Sequence, residues 1–86
     1  MYYVEMTDTY GGEANYSWVH RFIVKSSSPL GAIRKVTKET GYPARKAWDA
    51  GDTVRYNVPN ACICYFVTWL DETAEHQPQY VSVKQL

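Results

Sequence analysis

The stretch SSSPLGAIRKVTKETG, Ser26 to Gly41, decides how the rest of this 86-residue chain is read. Ser28 can accept a hydrogen bond from an amide that a helix start leaves unpaired, Pro29 suits the first helical position, and Gly41 suits the left-handed residue that closes a helix. Both ends of a helix are thus marked. Ala32, Ile33 and Val36 fall on one side, with Pro29 and Thr40 at its margins, while Gly31, Arg34, Lys35 and Lys38 follow the helical spacing on the other. A helix of this length is marginal alone, so its apolar side must lie on a sheet.

The residues on either side supply that sheet. Tyr2 to Met6 has the aromatic and β-branched content of a strand, Thr7 to Asn15 with Gly11-Gly12 has the composition of an exposed hairpin loop, and Tyr16 to Lys25 alternates as a second strand. In that alternation Tyr16, Trp18, His20, Phe22 and Val24 share a face. Past Gly41, the Tyr42-Pro43 step stops the helix, and Ala44 to Asp49 reads equally as a short edge strand or an ordered loop. Thr53 to Val58 and Ala61 to Leu70 make a hairpin around Pro59-Asn60, which suits the central positions of a type I turn. Ala61 to Leu70 is nearly continuous in apolar and aromatic residues, the pattern of a central strand. Asp71 to Pro78 reads as a loop and Tyr80 to Lys84 as a last strand. The expectation is a single α+β domain over residues 1–86, an antiparallel sheet of four to six strands with one helix packed on one face, in the order ββαβββ.

A chain this short has one modest core, and an aromatic content of 15% helps to fill it. No apolar run is long enough for a membrane span, and MYYVEMTD has neither a basic leader nor a hydrophobic signal core, so a cytoplasmic protein is expected. Net charge is zero, but the signs are segregated along the chain. Between His20 and Lys46 stand Arg21, Lys25, Arg34, Lys35, Lys38, Arg45 and Lys46 with Glu39 as the only acid, and the remaining acids lie on the flanks. Such asymmetry speaks to partners more than to fold.

Catalytic constellations are weak. Cys62 and Cys64 sit two apart on one strand, poorly placed for a disulfide, and read as two small buried thiols. With His20 and His76 they lack zinc-ribbon or finger spacing, so no metal and no cofactor is expected. His20 beside Trp18 and Tyr16 reads first as a satisfied core histidine. Asp49 and Asp52, in WDAGD, read as turn chemistry, and Gly11-Gly12 leads into a strand and so is no phosphate loop. An enzyme is not expected.

Over its whole length the chain resembles small bacteriophage-encoded accessory proteins, the class that includes anti-CRISPR and other anti-defence inhibitors. The features that carry the likeness are the short length, the hairpin Tyr2 to Lys25 feeding SSSPLGAIRKV, and GDTVRYNVPNACICYFVTWLDE. The class shares no motif, so no residue is assigned by position. The resemblance implies a compact non-enzymatic binder that blocks a host protein or ribonucleoprotein in the host cytoplasm. Its zero net charge sets this chain apart from the acidic nucleic-acid mimics of the class.

The residues themselves nominate a partner-binding set. Lys25, Arg34, Lys35, Lys38, Arg45 and Lys46 would form one basic patch, and Trp48 and Tyr10, in expected loops, would be aromatic anchors. The expected partner is a protein or ribonucleoprotein, with nucleic-acid phosphates as the alternative and a homodimer left open.

Overall fold

Pro29–Thr40 form the helix α1 in the computed structural model, which describes residues 1–10, 13–71 and 83–86. The Ser28 side chain accepts the Gly31 amide at 3.0 Å, and Gly41, at φ 79°, donates its amide to the Thr37 carbonyl at 2.8 Å. Ala32, Ile33 and Val36 are buried. At roughly 2 kcal/mol for each of the two larger side chains, that burial is what holds so short a helix.

Six strands among the described residues build one sheet: β1 Tyr2–Asp8, β2 Val19–Val24, β3 Arg45–Asp49, β4 Thr53–Asn57, β5 Ile63–Trp69 and β6 Lys84–Gln85, in the spatial order β3-β4-β5-β1-β2-β6. One face carries Tyr2, Val4 and Met6 of β1, Phe22 and Val24 of β2, Val54 and Tyr56 of β4, and Tyr65 and Val67 of β5. These side chains meet α1 in the core. The architecture is the expected α+β sheet with one helix on one face, and β5, which forms within the expected strand Ala61 to Leu70, lies inside the sheet between β4 and β1.

Particular expectations change. Ala44 to Asp49 resolves as the edge strand β3, which makes the order ββαββββ. The last pairing, β2 with β6, is parallel, whereas the other four are antiparallel. Thr7 and Asp8 belong to β1 and are buried, so the loop expected from Thr7 begins later. Strand β2 starts at Val19 and not at Tyr16, because Tyr16 takes φ 54°, a left-handed conformation that breaks the alternation. Asn60 has φ 61°, and a positive φ at that position marks a type II turn instead of the expected type I. Cys62 precedes β5 and is exposed, so only Cys64 is a buried thiol. Gly11-Gly12, the loop beyond Asp71 and the stretch 80–82 of the expected last strand lie outside the described residues.

Candidate functional site

A sheet with its helix on one side has a second face, and here the strand register organises it. Side chains that do not meet α1 alternate with those that do, so Glu5, Arg21, Arg55 and Phe66 point to the opposite side. The pairings Trp48 with Arg55, Arg55 with Phe66, Phe66 with Glu5, and Glu5 with Arg21 run in one line across β3, β4, β5, β1 and β2. The row thus reads aromatic, cation, aromatic, anion, cation.

Contacts along this row are specific. The Arg55 guanidinium lies over the Phe66 ring, 5.6 Å from its centroid, and its Nε donates to Asn57 Oδ1 at 3.0 Å. Trp48 meets Phe66 with centroids 6.2 Å apart and planes tilted by 51°. Arg21 Nε stands 3.9 Å from Glu5 Oε2. Tyr16 stacks beside Phe66, its centroid 6.2 Å away and its plane within 13°. Tyr16 and Trp48 remain 51% and 44% exposed, so each offers about half its surface to a partner.

Tyr16 reaches Phe66 because Asp8 holds the loop that carries it. The Asp8 carboxylate accepts the Ser17 amide at 2.9 Å and the Asn15 side-chain amide at 3.2 Å, while its carbonyl accepts the Asn15 backbone amide at 3.0 Å. Thr7 adds a bond from its hydroxyl to the Trp18 carbonyl at 2.8 Å. A non-glycine residue at positive φ costs about 1 kcal/mol or more and persists only where its surroundings dictate it. Here the clamp dictates it.

Electrostatics follow the same geometry. Burial is the strongest single influence on Asp8 and pushes its pKa up, but the hydrogen bonds from Ser17 and Asn15 together prevail and hold it below the ordinary 3.8. Burial, then the neighbouring Glu5 and Cys64, push the Tyr16 phenol up against the opposing pull of Arg55. Burial likewise raises the Cys64 thiol, which leaves it a poor nucleophile.

The nominated residues separate onto three regions. Arg34, Lys35 and Lys38 line the solvent side of α1, and the Lys35 ammonium donates to the Lys25 carbonyl at 2.6 Å, which brings those two together. Arg45 and Lys46 lie on β3, in register with Asn57 and Tyr56, so Arg45 faces the open side and Lys46 the helix side. Trp48 is in a strand instead of a loop, and joins the row described above. Tyr10 is 79% exposed in the turn after β1, its carbonyl accepting from Asn15 at 2.6 Å. Phe66, Arg55, Arg21, Tyr16 and Glu5 lie outside the partner-binding set read from the sequence. Arg55 alternating with Val54 and Tyr56 was the available signal that it faces away from the helix.

Other chemistry is sparse. His20 lines a groove of about 350 Å³ with Met6, Phe22, Glu39, Tyr42 and Lys84, and the Glu39–Lys84 ion pair lies at it. Cys64 is on the opposite face, in register with Thr7, so no site unites it with His20. Among the described residues no three His, Cys, Asp or Glu side chains are placed to hold a metal ion, and no helix is long and apolar enough to cross a membrane. No protein-family model, no curated protein and no solved structure matches this chain.

Proposed function

We propose that the chain is a non-enzymatic binding protein that docks a protein partner, free or within a ribonucleoprotein, on the open face of its sheet. The observation that carries this reading is the row Trp48, Arg55, Phe66, Glu5 and Arg21 with Tyr16 stacked beside it. Trp, Tyr and Arg are the residues that dominate interface energetics, most of all when packed side by side on a rigid element. Glu5 at the centre of the β1 part of the row disfavours a long polyphosphate, which a protein surface of mixed charge does not. The phage resemblance makes a host defence component the natural target class.

A second reading rests on the solvent side of α1. Arg34, Lys35 and Lys38 with Lys25 could contact nucleic-acid phosphates, and this stripe lies across the molecule from the aromatic row. Capture from bacterial lysate, with and without nuclease, separates the two. Trp48→Ala/Tyr16→Ala should lose the partner, while Arg34→Glu/Lys38→Glu should keep it and nuclease should change nothing. Equal recovery by wild type and Trp48→Ala/Tyr16→Ala would reject the sheet-face reading.

A further inference from the structure

We infer that Arg55 is a preset fork for one carboxylate, an Asp or Glu side chain of a protein partner seated between Trp48 and Tyr16. This rests on the open face being the docking surface and names what that surface recognises.

The guanidinium is fixed in two directions. Its Nε is engaged by Asn57 at 3.0 Å and its plane lies over Phe66, so rotation about the end of the side chain is restrained. No hydrogen bond joins its two terminal amino groups to another described residue. A guanidinium held this way presents parallel N–H donors at the spacing of carboxylate oxygens, and less side-chain entropy is lost on binding than for a free arginine.

The neighbours favour a single anion in a protein setting. Arg21, the other cation of the row, already faces Glu5, so Arg55 is the row's unmatched charge among the described residues. Trp48, opposite Arg55 on β3, and Tyr16, stacked on the Phe66 ring that Arg55 covers, are half-exposed rings, surfaces that exclude water and strengthen a charge-assisted pair. A nucleic-acid strand would bring successive phosphates past Glu5, one strand beyond Phe66. One carboxylate beside an apolar side chain satisfies the row without that repulsion.

The test uses defined probes and the whole chain: the peptides acetyl-Leu-Glu-Trp-amide and acetyl-Leu-Gln-Trp-amide, and an oligothymidylate of about ten nucleotides. Arg55 Nε–Hε and Trp48 indole signals are followed by NMR. The glutamate peptide should shift both and bind about tenfold tighter than the glutamine peptide, a preference that Arg55→Gln should abolish and Arg55→Lys should weaken. Unchanged dispersion of the remaining amide signals shows that each variant is folded. Absence of any shift at millimolar peptide, equal affinity for the two peptides, or tighter binding of the oligothymidylate overturns the inference. If Arg55→Gln captures the lysate partner as well as wild type while Trp48→Ala/Tyr16→Ala does not, the carboxylate inference fails and the docking face stands. If neither variant affects capture, the docking face fails as well.

Discussion

The Asp8 carboxylate accepts the Ser17 backbone amide at 2.9 Å across a loop whose ends it ties together. A group whose pKa is lower folded than unfolded stabilises the fold at neutral pH, and loses that contribution as pH falls through its folded value. Wild-type stability in urea should therefore fall more between pH 7 and pH 3 than that of Asp8→Asn, which already lacks the charged acceptor. Tyr16 should leave Phe66 over the same pH range, visible as a change in tyrosine near-ultraviolet circular dichroism. Parallel pH profiles for the two proteins would show that Asp8 is not the clamp.

Tyr65 ties the end of the helix to the central strand. Its hydroxyl donates to the Tyr42 carbonyl at 3.1 Å, which leaves it to accept from the Thr40 hydroxyl at 2.7 Å. Tyr65→Phe should cost about 1 kcal/mol, read as a lower urea midpoint at unchanged slope. Burial raises the phenol above its ordinary 10.0 despite the Thr40 bond. The protonated form is thus the native one, and stability should be lost as pH climbs past 10.0, where the unfolded phenol ionises. That loss should be smaller in Tyr65→Phe.

At the helix start, a Cβ added at Gly31 would stand 2.4 Å from Ser26 Oγ, which donates to the Ser28 carbonyl at 3.0 Å. Gly31→Ala should gain about 1 kcal/mol of helix propensity and lose a similar amount by displacing Ser26. The single variant should sit near wild type. In a Ser26→Ala background the same change should stabilise by about 1 kcal/mol, and the difference between the backgrounds, measured by thermal melting, is the coupling. Additive effects would mean that Ser26 turns aside at no cost.

The two thiols should behave differently. Cys62 is exposed, whereas Cys64 is fully buried with its pKa pushed up by that burial. Ellman's reagent should titrate one thiol per native chain and two in guanidinium, and mass mapping should place the fast adduct on Cys62. Rapid modification of Cys64 in the native protein would contradict its burial.

How much of this was legible in the residues depends on whether a local rule or a remote partner decided each one. Ser28, Pro29 and Gly41 act within a few residues of themselves, so the helix could be read with its caps. Strand β3 could not be decided because the register slips between Lys46 and Trp48, and the extra residue, Ala47, spoils the two-residue alternation. The face of Tyr16 was misread for a non-local reason, since Asp8, nine residues away from Ser17, bends the chain there. Trp48 was nominated as an exposed aromatic, but its neighbours in the row are spread over four other strands. Only the register, fixed by tertiary packing, lines them up.

The pairing of Tyr2–Asp8 with Ile63–Trp69 has a consequence for biosynthesis. Strand β1 lies in the middle of the sheet, and its neighbour β5 is translated only after β2, α1, β3 and β4. Until then a hairpin of β1 and β2 has both of its edges unpaired, since β2 gains β6 later still. Completion is a late zippering of two strands far apart in sequence, which places refolding nearer the millisecond-to-second range of sheet proteins than the microseconds of helical ones.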